Sequence, residues 1–136
     1  MGFVVALLGA AGVLLALDYA WIKLLAGPQT QSFVASVMGA DDAFHPSLIA
    51  GIAFYAITAI GITLLMTKLK LPTWTSAAAV GGLVGLLMYA TYDLTMLTIF
   101  PTKYPLSLAI ADMGWGALLI SATSAVAWMG LQNRQQ

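Results

Sequence analysis

Four apolar stretches, at about residues 2–26, 46–67, 74–100 and 106–130, dominate this chain and leave little polar sequence for a water-facing surface. Each is long enough to cross a hydrocarbon core of roughly 30 Å, which takes about 20 helical residues. Lipid cannot satisfy open backbone groups, so all four must be helices. They consume nearly all of the 136 residues, and the chain reads as a single transmembrane domain over 1–136 with no soluble domain appended. The expected fold is all-α: an integral membrane four-helix bundle with both termini on the cytoplasmic side.

Local punctuation agrees with four spans. Gly27-Pro28 is expected to end the first, Pro46 suits the first turn of the second, Thr73 can N-cap the third, and Pro101 with Pro105 separates the third from the fourth. The outer connection 27–45 is the only long one. Within it "SFVASVM" places Phe33, Val34, Val37 and Met38 on one side of a short interfacial helix, followed by the acidic "ADDAF". The N-terminal run lacks a basic leader and is too long for a signal peptide, so it reads as the first span.

Orientation follows from the loops. Lys68, Lys70 and Arg134 share one side, and Lys23, Lys103, Asp41 and Asp42 the other, which puts the first set in the cytoplasm by the positive-inside rule. In a bacterium this would be a multi-pass protein of the inner or plasma membrane.

Composition narrows the chemistry. Hydrophobic residues make up 61% and charged residues 7%, against about 25% charged in soluble domains. The formal charge is zero, so nothing recommends nucleic acid as a partner. Cysteine is absent, which removes disulfides, thiolate metal sites and thiol catalysis. A lone histidine, His45, argues against a bis-His haem, and no lysine lies deep in a span to form a retinal Schiff base. No phosphate loop, zincin motif or Ser/His/Asp set is present.

The remaining chemistry is acidic. With both termini inside, Asp18 lies about eight residues before the outer end of span one, roughly 12 Å deep. Asp93 lies about seven residues before the end of span three, near 10 Å deep, and Asp112 about six residues into span four, near 9 Å deep. The three carboxylates are therefore expected at one level in the outer third. Helical stepping puts Gly82, Gly85, Tyr89, Asp93, Met96 and Phe100 on one stripe, and Leu108, Asp112, Trp115, Gly116, Leu119 and Thr123 on another. Spans one and four share an Asp-x-x-Trp spacing, "DYAW" and "DMGW", which sets Trp21 and Trp115 one turn from Asp18 and Asp112. An indole N–H can donate to a carboxylate, as can the hydroxyls of Tyr89 and Tyr92.

Each aspartate in a span costs about 2.5–3.5 kcal/mol on the insertion scale, with no Lys or Arg at that depth to neutralise it. Either some of these acids are protonated or they bind a cation, with the same three as its ligands if it is a metal. No other cofactor is evident. The plainer reading is interhelical glue, worth about 0.6–2 kcal/mol per hydrogen bond. Plain readings also suit other residues: Trp74 and Trp128 as an interfacial belt, and Ala77, Gly81 and Gly85 as a close packing surface. Thr91, Thr95 and Thr98 are expected to bond back to their own helix, and His45 to have an interfacial or helix-start role at the second span.

The stretches "LDYAW" at 17–21, "YATYDLT" at 89–95 and "DMGWG" at 112–116 resemble the signature stretches of DUF2177, a family of small membrane proteins. The resemblance covers nearly the whole chain and implies a four-helix membrane fold; it brings no activity with it. It picks out Asp18, Trp21, Tyr89, Tyr92, Asp93, Thr95, Asp112, Trp115 and Gly116. One letter departs: the family usually has Asn after "YDLT", where this chain has Met96.

Three functional classes stay open. The leading one is proton, cation or small-solute handling at a site formed by Asp18, Asp93 and Asp112, with Tyr89, Tyr92, Trp21, Trp115 and Met96 around it. A second is an intramembrane enzyme using a metal or acid/base pair on a lipid-like substrate, with a pocket open sideways to lipid. A third is an accessory subunit of a larger membrane complex, the aspartates serving as glue. The lipid bilayer is a partner in all three, and the small size of a four-helix unit points to a homodimer for the first.

Overall fold

The computed structural model describes residues 2–39 and 45–132; Asp41, Asp42 and Arg134 of the charge count lie outside them. The described chain is helical throughout its long segments, and four of these are long and apolar enough to cross a membrane. They alternate in direction, so Gly2 and Gln132 meet at one end, the termini end, and the turn between the last two helices marks the opposite, distal end.

The first helix differs from expectation. Helix α1 (Gly2–Trp21) passes through a π turn (Ile22–Ala26) into α2 (Gly27–Met38), so Gly27-Pro28 widens the helix instead of ending it. Proline has no N–H to give and is tolerated in a first helical turn. The Gly27 N–H reaches back to the Ile22 carbonyl, and a Cβ at Gly27 would collide with that same oxygen, which is why glycine occupies the widened turn. The segment expected as a separate interfacial helix is thus the distal end of the first. Only part of its apolar side is used: Phe33 is buried and Val34 packs beside it, whereas Val37 and Met38 stay exposed.

Helix α3 (Leu48–Leu69) starts after Pro46, with Ser47 as its N-cap accepting from the Ala50 N–H at 3.3 Å. It ends at Lys70 in a left-handed conformation, φ 47°. Helix α4 (Trp74–Ile99) opens on a capping box in which Thr73 and Ser76 satisfy each other's backbone N–H. A turn carrying Pro101 and Pro105 leads into α5 (Leu106–Gln132).

Hydrophobicity cannot drive helix against helix in lipid, so contact depends on close approach of small residues. Along α4 the buried positions are Ala77, Gly81, Gly85 and Asp93, spaced in multiples of four on one stripe. A Cβ on Gly85 would strike the Gly116 carbonyl of α5, one on Gly81 the Ser124 side chain, and one on Gly116 the Tyr89 ring. Helix α5 is the centre of the bundle, packed on α4, α1 and α3. Helices α3 and α4, by contrast, barely touch. That gap positions the site.

Candidate functional site

Helices α1 and α5 run antiparallel, and their Asp-x-x-Trp spacings interlock. The Trp21 Nε1–H donates to Asp112 Oδ1 at 2.7 Å, and the Trp115 Nε1–H donates to Asp18 Oδ1 at 3.3 Å. Each indole therefore serves the carboxylate of the other helix, not the one on its own. The two rings stack between the acids, centroids 4.9 Å apart and planes 5° from parallel.

The three aspartates are staggered along the bundle axis, which corrects the expectation of a common depth. Asp18 is level with Trp115, one turn nearer the termini end than Asp112, which is level with Trp21. On α4, Gly85 lies against Gly116, so one further turn brings Tyr89 level with Asp112 and another brings Asp93 level with Leu108. Asp93, Asp112 and Asp18 thus form a descending ladder with steps of about 5 Å. The departure lies at Asp93: α4 runs on to Ile99, about four residues beyond the level at which α5 starts, so depth counted from each helix's own end sets Asp93 too near Asp112.

Each rung has its own environment. Asp18, 6% exposed, accepts from Trp115 and, through Oδ2, from the Tyr55 hydroxyl of α3 at 2.7 Å, so it ties α1, α3 and α5 together. Asp93 is wholly buried; its Oδ1 accepts from the Tyr104 hydroxyl at 2.7 Å, and its Oδ2 has no partner among the described residues. Burial, and then the hydrogen bond to Asp93, push the Tyr104 phenol above its ordinary pKa, so it remains a donor. Among the described residues Asp112 accepts from Trp21 alone, and it is only partly buried. It lies within electrostatic reach of both Asp93 and Asp18.

Asp112 also lines a cleft. Between α3 and α4, on the flank of the bundle, Phe54, Met88, Tyr89, Tyr92 and Asp112 enclose about 320 Å³, at the small end of ligand-pocket sizes. Its walls are aromatic and thioether, and Asp112 is the acid on them. Tyr89 packs its ring on Gly116 and brings its phenol near Asp18 and Asp112. Tyr92 is half exposed and sets its ring edge-to-face with Tyr104 at 6.4 Å.

The sequence-derived candidates therefore divide. Asp112, Tyr89 and Tyr92 meet at the cleft, and Trp21, Trp115 and Asp18 stand behind it. Asp93 faces the distal turn, and Met96 packs into an apolar cluster with Phe33, Tyr104, Leu108 and Ala109. Among the described residues, no group of three or more Asp or His side chains is arranged to hold a metal ion. Lys23 lies over the exposed Tyr19 ring, 5.7 Å from its centroid. Thr91, Thr95 and Thr98 each donate to the carbonyl four residues back, at 2.6–2.7 Å. Trp128 donates to the Leu71 carbonyl at 2.8 Å, tying α5 to the α3–α4 loop.

Sequence reasoning missed Tyr55, Tyr104, Phe54 and Met88. For Tyr55 a signal existed: a tyrosine hydroxyl inside a span needs a partner, and α3 offers it no carboxylate. Tyr104 lies in a turn, where helical stepping from Asp93 no longer applies.

Comparison with curated proteins and with solved structures returns no match. A family profile described as "Predicted membrane protein (DUF2177)" matches residues 3–130, and the chain belongs to that family, carrying four helices of membrane-spanning character around the interlocked aspartates and tryptophans.

Proposed function

We propose that the protein handles a small amphiphilic solute, taken from the bilayer through the α3–α4 cleft and held by a cationic or hydrogen-bond-donating group against Asp112. The observation that carries this reading is the pairing of an apolar, sideways-open cleft with one carboxylate that has, among the described residues, a single neutral donor. A cationic head would meet the Asp112 oxygens while its apolar body lies against Phe54 and Met88, with Tyr89 beside the acid and Tyr92 about one turn further along α4. Asp18 and Asp93 act in this reading as helix-bridging acids, each held by donors from another part of the bundle. Glue and binding site are then different rungs of one ladder.

The enzyme reading rests on the same cleft. A carboxylate and two phenols bordering a lipid-accessible pocket are a set that can donate and accept protons on a lipid-like substrate.

The test is reconstitution into vesicles with measurement of binding and uptake of tetraphenylphosphonium and a long-chain amine, alongside proton and sodium flux. Wild type should bind the lipophilic cations saturably, and Asp112→Asn should weaken that binding at least about tenfold, the equivalent of one hydrogen bond to a charged group. Equal binding by wild type and Asp112→Asn, or none by either, would sink the proposal. Turnover of a lipid added to the vesicles would favour the enzyme.

A further inference from the structure

A second cleft, sharing no residue with the first, lies at the distal end between α2 and the α4–α5 turn. It encloses about 310 Å³ and is bordered by Pro28, Gln29, Ser32, Phe33, Lys103 and Pro105. Lys103 belongs to the turn between Ile99 and Leu106, where two spans end together and hydrocarbon gives way to headgroups. Its ammonium donates to the Ser36 carbonyl at 2.8 Å, which fixes the charge at the cleft and commits one of its three protons.

The α2 face beneath it changes character along the axis. From the distal end, Ser36, Ser32 and Gln29 follow one another at helical spacing, and Leu25 comes next on the same face, where the Gln29 side-chain amide reaches its carbonyl at 3.4 Å. Leu25 and then Ile22 are exposed, at 42% and 44%. The stripe is thus polar with a fixed cation at headgroup level and apolar toward the bilayer core. Such a profile matches one end-on amphiphile.

We propose that this cleft holds an anionic glycerophospholipid, its phosphodiester on Lys103 and one acyl chain along Leu25 and Ile22. The Ser32 and Ser36 hydroxyl protons are committed to the Pro28 and Phe33 carbonyls, so the lysine supplies the charge recognition. The bound lipid would brace α2 against the α4–α5 turn, where Phe33 packs edge-on against Phe100 and Tyr104 at 5.4 and 5.0 Å.

Native mass spectrometry of the detergent-purified protein, titrated with phosphatidylglycerol and with phosphatidylcholine, tests this. One phosphatidylglycerol should remain bound in preference to phosphatidylcholine, and Lys103→Gln should lower its affinity about fivefold, the worth of one basic residue near lipid phosphates. Lys103→Arg should retain it. Ser32→Asp, which puts a carboxylate on the cleft wall beside Lys103, should abolish it by repelling the phosphate and pairing with the ammonium. Lys70→Gln, at the termini end, should change nothing. Undiminished binding by Lys103→Gln, equal losses from Lys103→Gln and Lys70→Gln, or displacement of the lipid by inorganic phosphate would overturn the assignment.

Discussion

Trp21 and Trp115 lie face to face at 4.9 Å, and each indole N–H donates a hydrogen bond to the aspartate of the opposite helix. Antiparallel helices with the same Asp-x-x-Trp spacing can satisfy two carboxylates with two indoles in this way, without any basic residue. The desolvated acids would otherwise be expensive in lipid. The stack also fixes the axial register of α1 on α5, because a slip by one turn would break both bonds together.

The two halves of this clamp are unequal. Trp21→Phe keeps the stack but removes the one donor to Asp112 among the described residues, whereas Trp115→Phe leaves Asp18 with Tyr55. Trp21→Phe should therefore cost more, on the order of 1–2 kcal/mol, and Trp115→Phe about 0.6 kcal/mol, the average for interhelical bonds in membranes. Unfolding by SDS titration in bicelles measures both; the reverse order would contradict the geometry.

At the distal end, Tyr104→Phe strips a wholly buried carboxylate of its one donor among the described residues and should cost about 1–3 kcal/mol, while Asp93→Asn, whose amide oxygen can still accept, should cost less. A phenol whose pKa is raised by folding holds its proton after the unfolded chain has lost it. Its contribution is therefore complete below the ordinary phenol value of 10.0 and fades as pH rises toward and through the folded value. The stability gap between wild type and Tyr104→Phe should be the same at about pH 7 and pH 9 and narrower at about pH 11.

The four-helix fold was legible because lipid permits so few structures, and the Thr73 cap and the proline-bearing turn carry their own local signals. The first helix's continuation was not, since Gly27-Pro28 is the usual signature of an end and only the Ile22 carbonyl's reach to Gly27 reveals the alternative. At the site, helical stepping found the acids, the indoles and Tyr89 but missed Tyr55 and Tyr104. Phase along one helix cannot say which neighbour stands opposite. Met96, prominent on the Asp93 stripe, points into the Phe33–Tyr104 cluster because the lengthened first helix covers it there.

Close approach of α4 and α5 makes a sharp glycine prediction. Gly85→Ala would push a methyl into the Gly116 carbonyl, and backbone cannot yield as a side chain can. It should cost about 1–3 kcal/mol or more, as overpacking does, whereas Gly51→Ala and Gly61→Ala, with nothing within 4 Å, should be neutral or slightly stabilising. The same SDS titration ranks the three.

The ladder predicts a separation of stability from binding. Asp18 is held by Tyr55 and Trp115 and is nearly sealed from the cleft, so Tyr55→Phe should lower stability by about 0.6–1.7 kcal/mol. The affinity for a lipophilic cation should hardly change. Asp112→Asn keeps an oxygen for Trp21 to donate to and should fold with little loss, yet it removes the charge facing the cleft and should weaken the same cation at least about tenfold. Measured together, by bicelle unfolding and by tetraphenylphosphonium binding in vesicles, the two variants should lie on different axes. If Tyr55→Phe weakened binding as much as Asp112→Asn did, the acids would be acting as one coupled unit, and the division into bridging and binding rungs would fail.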